Sequence, residues 1–377
     1  MIRIIAGVCA LLLTAPAAHA QQDGIARREV FFAGGRSVGP RGAESVHGQM
    51  YVEALWPRRA RMPYPLVLLH DAGQTGAGWL QTPDGRKGWA AYFAEQGYRV
   101  YLVDLPAHGR SAWRTGIDGG LKTTSVAEVE RQITAPGAFR AWPQAERHTQ
   151  WPGEGPGKGR SGDPVFDAFY KAQVDTPASP GELQLRAQEA GAALLDTIGP
   201  AILITHGASG PVGWALAEAR PHYVKGIVAL EPAGPPFEQA ITGSDKARAW
   251  GVSDLALTYI PPAASPADLA TQRQEKAAEP GLVPCIQQKE PARRLTNLAG
   301  VRTLLVTSEA SAHAGFDHCT AAYLKQAGVP VESLRLAERG IKGNGHMMMA
   351  EKNSLEVAAA LHGWMRKTIT RTMAPPR

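Results

Sequence analysis

Two ionisable residues stand where a chain of alternating strands and helices could bring them together. Glu231 ends the apolar run Gly226-IVALEP, and His346 lies in the Gly-rich loop Gly340-IKGNGHMMMAEKN. A carboxylate that closes an apolar strand is buried or half-buried and needs a partner. A histidine on a loop can reach across a sheet edge to meet it, and such a pair moves protons. The stretch Ile202-LITHGASGPVGWALAEARP reads as a buried strand, a sharp turn and a helix, the layout that presents a nucleophilic serine. The residue at its tip is Gly207. Small residues, Thr205 and Ser209, flank a tip at Gly207, whereas a tip at Ser209 would put Pro211 where helix and strand touch. Two residues at about 100° each turn Ser209 to a different face from the tip. Ser209 could therefore act only if the turn slips by two residues.

Such a site also needs backbone N–H groups facing developing negative charge. The turn His70-DAGQTG follows the third strand and can supply one. Ala72 and Ala208 are the candidate donors, with Asp71 and Gln74 beside them. Asp71 is the anomaly. A carboxylate about 4 Å from an oxyanion, at an effective dielectric near 20, would oppose it by about 4 kcal/mol unless it points outward or is protonated. Glu309 and Asp317 are rival acids, and Ser308 and Ser311 rival nucleophiles, after the seventh strand. His313, His318 and Cys319 match no zinc spacing, so neither metal nor cofactor is expected. Gly109 and Arg110 of Asp104-LPAHGRS read as turn-shaping, and Met347, Met348 and Met349 as core.

The scaffold must hold these strand ends side by side. Glu29-VFFAGG and Gly48-QMYVEALWP read as an opening strand pair. Pro65-LVLLH, Arg99-VYLVDLP, Ala201-ILITH, Lys225-GIVALEP, Arg302-TLLVTSE and Ser333-LRLAE are short strands, mostly of the kind buried on both faces. Gly88-WAAYFAEQG, the stretch up to Arg220, Asp317-HCTAAYLKQAG and Ser354-LEVAAALHGWMRK carry helices. The alternation predicts an α/β domain with a mostly parallel sheet and helices on both faces. Ligands bind at the carboxyl ends of such strands. Two Pro- and Trp-bearing stretches, about 111–180 and 235–297, interrupt the rhythm and are expected to form lids. The run Gly153-EGPGKGRSGDP reads as a mobile surface loop.

Arg3, the apolar run Ile4 to Leu13 and Ala18-His19-Ala20 predict a signal peptide over residues 1–20, cleaved after Ala20. The run is too short for a membrane span, which needs about 20 apolar residues. The mature domain would be residues 21–377, periplasmic or secreted. It keeps two cysteines, Cys285 and Cys319. An oxidising compartment favours a bridge between them, with two free thiols as the alternative. The 40 basic and 34 acidic residues are scattered, without a basic run interleaved with aromatics, so no nucleic-acid partner is indicated.

Together these motifs resemble the α/β-hydrolase superfamily, and more narrowly a group of secreted bacterial esterases and hydrolases. The residues that carry the resemblance are Gly73-QTG, Thr82-PDGR with Gly88-Trp89, Asp104-LPAHGRS, Thr205-HGASGP, Glu231-PAGPPF and Gly343-NGHMMM. They span most of the mature chain. The resemblance implies an elbow of the form T-H-S-Q-(S/G)-G, a glutamate acid after the sixth strand and a catalytic histidine. It favours Glu231 over Asp317 and makes His346 the base. It also places the family serine on Gly207 and a family glycine on Asp71. The implied activity is hydrolysis of a small carboxylic ester or lactone. Either Ser209 attacks after a slip, or His346 activates a water where Gly207 leaves room. The alternative is a non-catalytic protein that keeps the scaffold and binds a small apolar ligand.

Overall fold

The computed structural model describes residues 24–241 and 245–370, so the signal-peptide segment and its cleavage point lie outside the described residues. Eight strands form one sheet: β1 (Ile25–Val38), β2 (Ser45–Pro57), β3 (Leu66–Leu69), β4 (Val100–Asp104), β5 (Ala201–His206), β6 (Val224–Leu230), β7 (Arg302–Thr307) and β8 (Val331–Arg335). Their order is β1-β2-β4-β3-β5-β6-β7-β8. β1 and β2 form an antiparallel pair, and β2 meets β4 antiparallel. From β4 to β8 every pairing is parallel. The α/β expectation therefore holds.

Side chains alternate between the faces of a strand, and this sequence fills both faces with apolar groups. Leu66, Leu68, Ile202 and Ile204 join one core, while Val67, Leu69 and Leu203 join the other. Helices α1 (Trp89–Glu95), α2 (Pro164–Lys171) and α6 (Ser354–Met365) cover the first face through Trp89, Phe166 and Leu361. Helices α3 (Pro180–Ile198), α4 (Gly210–Ala219) and α5 (Asp317–Gln326) cover the second through Leu194, Trp214 and Tyr323. The methionines at 347–349 are buried in the first core, as their sequence context suggests.

Both interrupting stretches are tied down. In the first, the Trp142 indole donates to the Ala310 carbonyl, and the amides of Thr149 and Gln150 donate to Gly343. The Gly-rich run there is better fixed than its composition suggests. Asp163 caps α2 and accepts the Gly159 amide, and Thr134 donates to the Gly159 carbonyl. In the second, Cys285 is bridged to Cys319 on α5, with Cα atoms 5.2 Å apart, as the compartment argument favours. Tyr259 in the same stretch shares a buried hydrogen bond of 2.7 Å with Tyr323 on α5.

One buried carboxylate joins the β3 turn to the β4 turn. Asp104 accepts the amides of Gly76 and Arg110 at 2.8 Å each, and the Arg110 guanidinium at 2.8 and 2.9 Å. Burial works against its charge, but Arg110 and the amides win and hold its pKa below the usual range. Gly109 lies against Asp104 with a φ of +46°, so a side chain there would be strained and crowded. Gly109 and Arg110 thus shape the turn, as expected. Asp104→Asn replaces one carboxylate oxygen, which accepts two of these four bonds, with a donor. It is expected to lower stability by about 2–3 kcal/mol, read from urea unfolding. A change under about 0.5 kcal/mol would show that the cluster contributes nothing to the turn.

Candidate active site

β5 is extended through His206 (φ −130°), and the chain then turns at Gly207 with a φ of +51°. This left-handed tip leads into a short turn and α4. The tip lies at Gly207 and there is no slip to Ser209. Ser209 is fully buried. Its hydroxyl accepts the His206 amide at 2.9 Å and donates to the carbonyl of His206 or Leu69. The expectation that Ser209 attacks is therefore corrected: its oxygen secures the strand-to-helix turn and does not face His346.

The space beside the tip is filled from β3. His70 donates through Nδ1 to the Asp71 carbonyl at 2.7 Å and accepts the Leu105 amide on Nε2. Burial holds His70 below its ordinary pKa, so it stays neutral and can play both parts. This fixes the turn that aims Asp71 inward. Oδ1 of Asp71 accepts the amides of Ala72 at 2.7 Å and Ala208 at 2.6 Å. These are the two donors expected for an oxyanion, and a carboxylate of the chain itself occupies them. A Cβ built on Gly207 would overlap that same carboxylate. Asp71 thus stands where a serine side chain at the tip would project.

The other oxygen of Asp71, Oδ2, accepts from His346 Nε2 at 2.9 Å. His346 Nδ1 donates to Glu231 Oε2 at 2.7 Å. Glu231 is wholly buried just past β6 and also accepts the Ser308 amide and the Ser311 hydroxyl, each at 2.7 Å. Ser308 and Ser311 therefore hold the glutamate. Burial disfavours a charge on His346, but the two carboxylates outweigh it and raise its pKa to about 10. Burial alone would raise Asp71, yet the bond to His346 dominates and its pKa falls well below the usual carboxylate range. The worry about a lone negative charge is answered by this pairing: Asp71 points inward, ionised, against an imidazolium.

Two further imidazoles enclose His346. His206 stacks on it at 4.3 Å and donates to its carbonyl, and His313 stacks at 5.1 Å. Burial lowers both to about 3, so neither competes for the charge. Asp317 lies one layer back, sharing a hydrogen with His313 at 2.8 Å, and burial pushes its pKa up. It is therefore not the acid beside His346. Glu309 accepts the Gly343 amide and stays with the loop. Asp71, His206 and His346 have donor atoms close enough to share a metal ion, as do Glu231, His313 and His346. In both sets the His346 nitrogen that would bind the ion is committed to a carboxylate.

Several supporting residues escaped the sequence reading. Glu351 accepts the Gly345 amide, the Asn344 amide group and His148 Nε2 at 2.7–2.8 Å, and so shapes the loop that carries His346. Arg86 donates to the carbonyls of Ala350, Glu351 and Lys352. The Thr82-PDGR motif was the available signal for Arg86, because a tight turn exists to aim it. The backbone N–H of Gln74 donates to the Asp71 carbonyl, and Gln74 lines a cavity of about 100 Å³ with Phe169 and Met347. Asp71 and His346 keep 15% and 12% of their side-chain surface exposed, so the line remains reachable.

No protein-family model matches the chain. It is 46% identical over 318 residues to a probable secreted lipase of a fungal species, covering 84% of this chain and 86% of that protein. A novel bacterial esterase solved at atomic resolution superposes with a TM-score of 0.59 at 21% identity, over 92% of this chain and 96% of the other, a likeness of fold. The sheet order, the elbow after β5 and this relationship agree: the chain belongs to the family of that lipase-like protein, within the α/β-hydrolase superfamily.

Proposed function

We propose that the chain is an exported hydrolase of small carboxylic esters or lactones in which the Asp71 carboxylate takes the place of serine. The observation that carries this reading is the unbroken line Glu231–His346–Asp71, with links of 2.7 and 2.9 Å. Glu231 orients His346, His346 carries the mobile proton, and Asp71 presents the anion to substrate. The relative named as a probable secreted lipase supports ester hydrolysis and export. The stretches 111–180 and 235–297 act as lids in this reading. A second reading, ligand binding without turnover, draws on the filled amides of Ala72 and Ala208. Asp71→Asn separates the two. Loss of a measurable native rate supports catalysis, and a native chain with no rate at all supports binding.

Asp71 and Gly207 exchange space, so they must be changed together. Gly207→Ser alone is expected to gain nothing, because its Cβ runs into Asp71. Asp71→Gly with Gly207→Ser frees both amides and supplies a hydroxyl. It is expected to hydrolyse p-nitrophenyl acetate at least about 100-fold faster than Gly207→Ser. Equal rates in the two variants would contradict the exchange.

The pH dependence has a definite sign. His346, faced by Asp71, Glu231, His206 and His313, keeps its proton up to about pH 10. Asp71 keeps its charge far into acid. The native kcat/KM, which reports the free site, is expected to be flat through neutrality and to fall as pH rises through about 10 and His346 loses the proton that holds Asp71. A kcat/KM that climbs through about pH 6–7 would mean that neutral His346 is the resting base.

A further inference from the structure

The two amides that would polarise a substrate carbonyl are turned on Asp71 itself. Oδ1 sits between the N–H groups of Ala72 and Ala208, while Oδ2 carries one hydrogen bond, to His346, and the Asp71 side chain keeps 15% of its surface exposed. The group placed to be attacked in an oxyanion site is therefore the Cγ–Oδ1 carbonyl of an Asp71 ester. Such an ester forms when the carboxylate attacks a saturated carbon. Attack on a substrate's carbonyl would instead need the amides that Asp71 holds, and would produce an anhydride less stable than the ester consumed.

We propose that Asp71 is a covalent nucleophile that opens small strained lactones at the alkyl carbon of the ring. The inference rests on reading the site as hydrolytic, and it names the bond that breaks. In the first step an Oδ2 lone pair forms a bond to the ring's saturated carbon. The ring C–O bond breaks, and its electron pair leaves as the substrate's own carboxylate, so no proton is required. Asp71 is now a neutral ester. The loss of its charge removes one of the two anions that hold the proton on His346, and that proton passes to solvent. Neutral Nε2, still oriented by Glu231, then takes a proton from water as the water oxygen adds to Cγ. The negative charge on Oδ1 is met by Ala72 and Ala208. The Cγ–Oδ2 bond breaks, and the departing alkoxide takes the proton from His346. The new Asp71 carboxyl returns its own proton to His346, which restores the starting pair. The sum is lactone plus water giving hydroxy acid anion plus a proton.

The test uses the mature native chain and (R)-β-butyrolactone. Alkyl attack inverts the stereocentre once, and hydrolysis of the Asp71 ester leaves it untouched, so (S)-3-hydroxybutyrate is expected. The (R) product would overturn the inference while leaving lactone hydrolysis intact, which separates this failure from failure of the broader reading. His346→Gln blocks only the second step. Its intact mass is expected to rise by one lactone, carried on the peptide that holds Asp71, and the added Asp71→Asn change should abolish the adduct. No product from the native chain and no adduct on the variant would overturn both the inference and the lactone reading.

Discussion

An imidazolium between two carboxylates governs this site. His346 reaches Glu231 with one nitrogen and Asp71 with the other, and with both carboxylates ionised each bond takes its hydrogen from the ring. Taking such a charge out of water is costly unless it is paired and bonded on every side. The surroundings meet that demand. Glu231 has two further donors in Ser308 and Ser311, and Asp71 has two in Ala72 and Ala208. His206 and His313 pack against the ring as neutral groups. Loop, elbow and strand ends are organised around one shared proton pair.

Asp71 and Gly207 look like two unrelated departures from an ordinary elbow when read along the chain. In space they are one. The left-handed tip has no side chain because the carboxylate from β3 occupies that volume. The same carboxylate takes the amides that the turn presents. A carboxylate carried after β3 is tethered so that Oδ1 sits within the amide pair while Oδ2 meets His346. This is why the electrostatics favour the arrangement. The amides that a serine mechanism would turn on a developing charge here face a resident charge with a resident counter-ion.

Much of this is legible in the sequence, for physical reasons. Strands buried on both faces announce themselves as apolar runs, and β3 to β7 are of that kind. Glu231 and His346 stand out because an ionisable residue at the end of an apolar strand, or in a Gly-rich loop after one, has few structural excuses. The direction of Asp71 is not legible. It depends on His70 gripping the turn between Asp71 and Leu105, contacts that no spacing rule encodes. Ser209 was a reasonable suspect by residue type, but its burial follows from the turn falling at Gly207, two residues earlier. Glu351 lies in the same stretch as His346 but nothing in the sequence shows that its side chain turns back onto Gly345 and Asn344, and Arg86 reaches that stretch from a turn far away in the chain.

The protonation of His346 is the most direct test. In the native chain labelled with nitrogen-15 on histidine, both ring nitrogens of His346 are expected to carry hydrogen at neutral pH and to titrate near pH 10. Asp71→Asn should shift that titration downward, because one of the two stabilising carboxylates is gone. A native His346 that is neutral at pH 7, or one whose titration ignores the loss of Asp71, would contradict the account at its centre.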